Sequence, residues 1–198
     1  SEMCIRDSFN LVHKKFHPFT HPFESQSLSL VAIGGFGRGE MAPYSDIDLL
    51  FLSNKRQTGW AKSVVESVLY LLWDLKFKVG HSSRTISDCV QLGLDDLTIR
   101  TSMLEKRYLC GSVDLFEELE TTLKKKVFSK KASNFVEGKL SERAERHLKH
   151  ANARYMLEPN IKEGKGGLRD LHTLYWISKY IYRTDNIQSL IEKKIFKR

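Results

Sequence analysis

The sequence lacks several features that would assign it to a common class of protein. Its three cysteines, at positions 4, 89 and 110, form no C-x-x-C pair and leave an odd number, which argues against a disulfide framework and for a reducing compartment. The most apolar stretch, residues 64–75, is interrupted by two acidic residues and is too short to span a bilayer. We therefore expect a globular, cytoplasmic protein without a membrane segment.

Two familiar glycine-loop motifs are also missing. A Walker A loop ends in Gly-Lys-Ser or Gly-Lys-Thr, and the sequence contains neither. The dinucleotide-binding fingerprint requires a third glycine at the position that Glu40 occupies. Neither a P-loop nor a dinucleotide-binding domain is indicated.

The most informative segment that is present is residues 31–52, VAIGGFGRGEMAPYSDIDLLFL. Residues 29–33 are apolar and β-branched and lead into Gly34 and Gly35, and residues 46–52 form a second apolar run. This pattern predicts a strand, a tight glycine turn, an irregular connection and a second strand.

Two aspartates lie at the start of the second predicted strand. Side chains alternate along a strand, so Asp46 and Asp48 project to one face while Ile47 points into apolar packing. Adjacent carboxylates repel each other, and a divalent cation relieves that repulsion. Oxygen ligands without a nearby Cys or His cluster favour magnesium, which takes the rest of its shell from water and phosphate.

The predicted glycine turn is suited to binding the phosphates that would accompany the magnesium ion. Without a Cβ, glycine lets the backbone approach phosphate oxygens and direct amide groups toward them, and Arg38 adds a positive charge in the same loop. The segment therefore indicates that the protein handles a nucleoside triphosphate. The alternative is a glycine-rich hairpin turn beside a solvated pair of aspartates.

A resemblance supports the first interpretation. Gly-Gly followed after ten residues by Asp-x-Asp resembles the signature of the nucleotidyltransferase fold of the DNA polymerase beta superfamily. Three blocks, residues 34–52, 69–85 and 157–180, resemble in order the amino-terminal part of the bacterial bifunctional uridylyltransferase/uridylyl-removing enzymes that modify the nitrogen regulatory protein PII.

The resemblance implies an activity and a set of site residues. It implies magnesium-dependent transfer of UMP from UTP to a tyrosine of PII, with two metal ions accompanying the triphosphate. Asp46 and Asp48 would be both the catalytic and the metal-binding residues. The residues expected to bind the nucleotide are Gly34, Gly35, Gly37, Arg38, Ser45, Lys165 and Arg169.

The sequence departs from the family pattern in two respects. It contains no His-Asp dipeptide, so we predict no uridylyl-removing activity in this chain. Superfamily members often bring a third carboxylate from a neighbouring strand, whereas the candidate strand, residues 77–84, contains no acid. The other acids that could serve, none favoured by its sequence position, are Asp88, Asp95, Asp96 and Asp170.

Periodicity outlines an α+β fold, a nucleotidyltransferase sheet with flanking helices followed by a helical domain. Apolar spacing predicts a helix over residues 60–75, a strand over 78–84, a helix over 95–109 ending at Gly111 and a helix over 113–127. Only helices and loops are predicted from residue 112 onward. We therefore expect a nucleotidyltransferase domain at 9–111 and a truncated helical domain at 112–198.

The leader, residues 1–8, is treated separately. Its segment MCIRDS resembles the translation of a transposon adapter used in sequencing libraries, so a non-native or disordered leader is expected.

The helical part is basic and accounts for much of the net charge of +8. This charge fits either a solvated face or contacts with an acidic partner or the triphosphate, and no RNA-binding signature accompanies it, so no nucleic-acid partner is expected. Within this part, the loop at 161–168, IKEGKGGL, precedes a helix. Its amides near Leu168 could face a phosphate and the loop could cover the cleft, or it could be an ordinary turn between helices.

Two other functions remain open. The same fold could transfer a nucleotide from ATP to another acceptor, as in adenylylation of glutamine synthetase. A protein that lacks a third metal ligand could instead sense a nucleotide without turnover.

Overall fold

The structure is a computed structural model, and it describes residues 2–16, 28–41, 45–54, 58–149, 160–184, 187–192 and 194. The chain divides into two compact units, residues 1–128 and 129–198. The first unit contains α1 (Glu2–Leu11), a π-helical turn (Val12–Phe16), β1 (Leu28–Ala32), α2 (Gly34–Arg38), β2 (Ile47–Ser53), α3 (Gly59–Asp74), β3 (Val79–Thr85), α4 (Ile86–Asp95), α5 (Leu97–Leu104), β4 (Arg107–Gly111) and α6 (Val113–Lys126). The second contains α7 (Ala132–Lys149), α8 (Leu168–Tyr182) and α9 (Ile187–Glu192).

The strands of the first unit form one mixed sheet in the order β3-β2-β1-β4. β1 is antiparallel to both β2 and β4, whereas β2 and β3 are parallel. A mixed sheet flanked by helices is consistent with the nucleotidyltransferase fold, and the α+β prediction is confirmed.

The two faces of the sheet differ in what covers them. Leu49 and Phe51 of β2 join one apolar core with α1 and α3. Leu50 and Leu52 project to the opposite face and are also fully buried, where α6 packs against β1 and β2, and α4 packs against β3. Asp48 lies on the same face of β2 as Leu50 and Leu52, so this acid lies next to buried apolar side chains.

Polar side chains determine where several helices begin. Thr58 accepts from the Ala61 amide at the start of α3, and Ser112 accepts from the Leu115 amide at the start of α6. Thr85 and Asp88 form a reciprocal capping box at the start of α4. These caps satisfy amides that have no acceptor within the helix.

The predicted helix over residues 95–109 is wrong in its second half. α5 ends at Leu104, and Arg107–Gly111 form strand β4 beside β1. Apolar residues at positions 99, 103, 104 and 109 fit a helical face, but pairing with the free edge of β1 outweighs that local pattern. The predicted helices over residues 60–75 and 113–127 are confirmed as α3 and α6.

The leader forms part of the first unit instead of a disordered extension. α1 buries Ile5 and Phe9 completely or nearly so within the core that also contains β1 and α3. Burial of these two side chains stabilises a helix that would be marginal by itself at ten residues. Whether its sequence is native stays a prediction.

The first compact unit also extends beyond the boundary predicted at Gly111. α6 packs against β1, β2 and β4, so the unit ends at Phe128. Gly111 itself adopts φ +95° at the end of β4, where the chain turns into α6.

The second unit is built on the packing of α7 against α8. The Phe135 and Tyr180 rings stack with centroids 4.2 Å apart. Lys139 is almost fully buried, its ammonium lies over the Trp176 ring, and it pairs with Glu142 at 2.8 Å. All regular elements described after residue 112 are helices, as predicted, and none of the described helices is long and apolar enough to cross a membrane.

Replacing Phe9 by Ala should lower the free energy of unfolding by about 3 kcal/mol, because it leaves a cavity beneath the sheet. Met3 lies on the same helix but is 72% exposed, so Met3→Ala is the matched control and should change stability by less than about 0.5 kcal/mol. Urea unfolding of both variants measures the difference. Equal stabilities would show that α1 is not part of the cooperative core.

Candidate active site

A backbone hydrogen bond joins the glycine segment to the aspartate strand. The Ile33 amide donates to the Asp48 carbonyl oxygen at 3.1 Å, just where β1 ends and α2 begins. At the other edge of β2, the Ile47 amide donates to the Lys78 carbonyl oxygen at 2.8 Å. These bonds fix the start of β2 between two neighbouring chain segments.

The Asp48 carboxylate lies between two glycines. A Cβ built on Gly34 would be 2.9 Å from Oδ2 of Asp48, and one built on Gly80 would be 2.7 Å from Oδ1. Gly34 also has φ +59°, a conformation that favours glycine. The first glycine of the segment therefore lies directly beside this aspartate.

The surroundings of Asp48 shift its pKa. Burial raises the pKa of Asp48, and the neighbouring Asp46 carboxylate raises it further. Asp46 and Ser45 are exposed, whereas Ile47 is buried with 3% exposure, as the strand alternation predicts. Within the described part of the chain, no lysine, arginine or histidine forms an ion pair with either aspartate.

The glycine segment is a short helix instead of the predicted tight turn. Gly34 and Gly35 occupy the first positions of α2, where amides lack an acceptor within the helix. Gly37 has a packing role, because its Cβ would lie 1.8 Å from the Glu105 carbonyl oxygen. Nucleotide contacts by these glycines and by Ser45 stay predictions.

Arg38 is held by two carboxylates. Its Nη1 pairs with Glu105, whose side chain is 2% exposed, and its Nε pairs with exposed Glu40 at 3.1 Å. A Cβ on Gly35 would lie 3.8 Å from Nη2, so the guanidinium lies beside the first turn of α2. The predicted phosphate contact is untested, but the structure shows a second function for Arg38, the neutralisation of a buried acid.

A second arginine fixes the end of α2. Arg107 donates from Nε to the Gly37 carbonyl and from Nη2 to the Phe36 carbonyl, at 3.1 and 3.0 Å. Its Nη1 also pairs with Glu2 of α1 at 2.8 Å. A cation at the carbonyl end of a helix is favourable, so Arg107 stabilises α2 in place.

The four acids considered as a third metal ligand have other contacts. Asp88 and Asp96 cap α4 and α5, and Asp95 accepts from Gln91 at 2.7 Å. Asp170 lies in the second unit, where it binds residues of α7. The described residues contain no cluster of three side chains suited to a metal ion, so the third ligand stays unassigned.

The expectation that amides near Leu168 face a phosphate is wrong. The Leu168 amide donates to the Ile161 carbonyl and the Arg169 amide to the Lys162 carbonyl, both at 3.0 Å. These two amides therefore have acceptors within the loop, as in an ordinary turn between helices. Nucleotide contacts by the side chains of Lys165 and Arg169 stay predictions, and Arg169 lies over the Trp176 ring.

Asp170 is the centre of a polar cluster in the second unit. It accepts from the Gly166 amide at 2.8 Å, from Arg146 at 2.7 Å and from His147 at 2.9 Å. Burial alone would raise the pKa of Asp170, but these hydrogen bonds and charges outweigh it and lower the pKa to about 2. The cluster joins α7, the loop at 161–168 and α8.

With this geometry established, comparisons with known proteins identify the family. Residues 21–109 match a family model described as a nucleotidyltransferase domain. Residues 134–198 match the model described as GlnD PII-uridylyltransferase. The chain belongs to the GlnD PII-uridylyltransferase family. The first match includes both aspartates and the glycine segment, and this part of the chain is a nucleotidyltransferase domain.

Two curated relatives cover nearly the whole chain. Bifunctional uridylyltransferase/uridylyl-removing enzymes from Ruegeria pomeroyi and Cereibacter sphaeroides are each 50% identical to it, over 192 and 185 residues. These alignments cover 97% and 93% of the chain, but 21% and 20% of the relatives. The chain thus spans about a fifth of the length of these GlnD relatives.

Two residues of this GlnD site were missed from the sequence. Gly80 was signalled only as an isolated glycine within a predicted strand, a pattern typical of close backbone or side-chain approach. Glu105 gave no signal, because its partner Arg38 is 67 residues away and their contact depends on tertiary structure.

Glu105→Ala should destabilise the protein by about 3 kcal/mol, because it leaves the Arg38 guanidinium without its buried counter-ion. Glu40→Ala removes the exposed partner of the same arginine and should cost less than about 1 kcal/mol. Urea unfolding compares the two variants directly. If both cost the same, the buried pair is not the contact that holds α2.

Asp170 should make the stability of the second unit depend on acid pH. Its folded pKa of about 2 lies below the ordinary 3.8, so its stabilisation is complete above the unfolded pKa and is lost as pH falls toward the folded value. Asp170→Asn should flatten the decline in unfolding free energy between about pH 5 and pH 2. Exposed Glu145 is the control, and Glu145→Gln should retain the wild-type slope.

Proposed function

We propose that this chain transfers UMP from UTP to a tyrosine hydroxyl of PII in the cytoplasm, using magnesium and releasing pyrophosphate. The observation that carries the proposal is the Asp48 carboxylate beside Asp46, enclosed by Gly34 at the start of α2. The names of the 50% identical relatives supply the nucleotide and the family name supplies the acceptor.

The two aspartates fit a magnesium site. Both offer hard oxygen ligands, the Asp46 carboxylate adds to the burial that raises the pKa of Asp48, and no cationic side chain among the described residues forms an ion pair with either. Asp46 and Asp48 would hold the metal, which when bound neutralises charge on the triphosphate and lowers the barrier to displacement at the α-phosphorus. Substrate phosphates and water would complete the shell.

Apart from the metal, the reaction needs protein groups that position the two substrates more than it needs side chains that react. The tyrosine oxygen forms a bond to the α-phosphorus of UTP, the bond from that phosphorus to the β-phosphate oxygen breaks, and the hydroxyl proton goes to solvent. The first turn of α2 would receive the phosphates, and the contacts of Arg38 and Arg107 hold that turn in a fixed place.

The relatives are bifunctional by name, but the proposal covers only nucleotidyl transfer. The sequence contains no His-Asp dipeptide, which is the reason we predict no uridylyl-removing activity for this chain.

Asp48→Asn should reduce labelling of PII by at least about a thousandfold while leaving the fold intact. The assay incubates the 198-residue chain with magnesium, purified PII and UTP labelled at the α-phosphate. Asp74→Asn, an exposed acid at the end of α3, is the control and should retain wild-type transfer. Circular dichroism confirms that both variants are folded.

Three outcomes would contradict the proposal. Near-normal transfer by Asp48→Asn would exclude this acid from the site. Preferential use of labelled ATP, or labelling of glutamine synthetase in place of PII, would favour the adenylyltransferase alternative. Binding of UTP without pyrophosphate release in the presence of PII would favour a nucleotide sensor.

A further inference from the structure

Gly80 lies directly beside the Asp48 carboxylate on the neighbouring strand. The parallel register of β2 and β3 pairs Asp48 with Gly80, then Leu50 with Ser82 and Leu52 with Arg84. β3 therefore presents a glycine, a serine and an arginine to this face of the sheet. β3 carries no acidic side chain, and at Gly80 the Asp48 carboxylate occupies the space that a side chain would need.

The backbone conformation does not explain this glycine. Gly80 is absent from the positive-φ glycines, which in the described residues are Gly34, Gly39, Gly111 and Gly166. Any L residue could adopt its conformation. What excludes a side chain is space, because an added Cβ would lie 2.7 Å from Oδ1 of Asp48, closer than real Cβ contacts.

We propose that Gly80 is a positioning residue for nucleotidyl transfer, and that its missing Cβ provides the space in which the Asp48 carboxylate must lie to bind a divalent cation. The inference rests on the proposed function, since it takes Asp48 as a metal ligand. Among the described residues, apart from the chain neighbours of Gly80, only Oδ1 and Cγ of Asp48 lie within 4 Å of the added Cβ. An alanine at position 80 would therefore rotate the carboxylate out of place without meeting backbone or core.

The experiment compares Gly80→Ala with Gly59→Ala in the full chain. Gly59 begins α3, has no positive φ, and an added Cβ would meet no atom of the described residues within 4 Å beyond its chain neighbours, so it is the matched control. Electron paramagnetic resonance of free Mn²⁺, recorded without UTP because the triphosphate would itself chelate the ion, measures cation binding to the protein independently of turnover. We expect Gly80→Ala to weaken Mn²⁺ binding at least about tenfold, and Gly59→Ala to leave it unchanged.

A second comparison separates displacement of the carboxylate from damage to the fold. If the added methyl group clashes only with Asp48, Gly80→Ala should lower the melting temperature of the wild type but not that of Asp48→Ala. A double variant as unstable as the sum of the single changes would show that the fold itself needs this glycine and would overturn the inference.

The outcomes also distinguish the inference from the proposed function. Wild-type Mn²⁺ affinity in Gly80→Ala, together with lost affinity in Asp48→Asn, would refute the role of Gly80 and leave the metal assignment intact. Wild-type affinity in Asp48→Asn would refute both. A third outcome is that Gly80→Ala weakens Mn²⁺ binding but the wild type does not label PII. This outcome would support the role of Gly80 in cation binding and refute PII as the acceptor.

Discussion

The hydrogen bond from the Ile33 amide to the Asp48 carbonyl is the constraint on which the site depends. It joins the last residue before α2 to the strand that carries Asp48, although residues 34–47 separate the two in the sequence. Because it is a backbone bond, it requires no particular side chain at either position. The proximity of glycine and carboxylate therefore follows from the pairing of β1 with β2, and the side chains need only match that pairing.

Side-chain contacts also hold α2 in place beside the paired strands β1 and β2. A five-residue helix has little stability by itself, and α2 has no side-chain cap at its beginning. Its stability comes from Glu105 and Arg107, which flank the turn between α5 and β4 and contact Arg38, Phe36 and Gly37. The correct structure of α2 therefore depends on a segment that lies far away in sequence.

The difference between local patterns and contacts made across the fold explains how much of the fold and of the site could be predicted from the sequence. Strand alternation placed Ile47 inside and the two aspartates outside the apolar core, and helical periodicity located α3 and α6, because each pattern depends on local spacing. The local pattern predicts helix for residues 107–109, because the pairing of β4 with β1 is a tertiary effect that local spacing does not reveal. The self-bonded amides near Leu168 and the buried partner of Arg38 could not be predicted for the same reason, since local residue types do not reveal which acceptor a donor finds.

The contacts of Arg107 have a consequence for the thermodynamics of ligand association. This side chain connects Glu2 of the first helix with the carbonyls of Phe36 and Gly37, so α2 is held in place before any ligand arrives. A turn that is already ordered loses little conformational entropy on complex formation, and more of the contact energy remains as affinity. Through its contact with Arg107, the opening helix thus contributes to the preorganisation of α2 for the proposed nucleotide site.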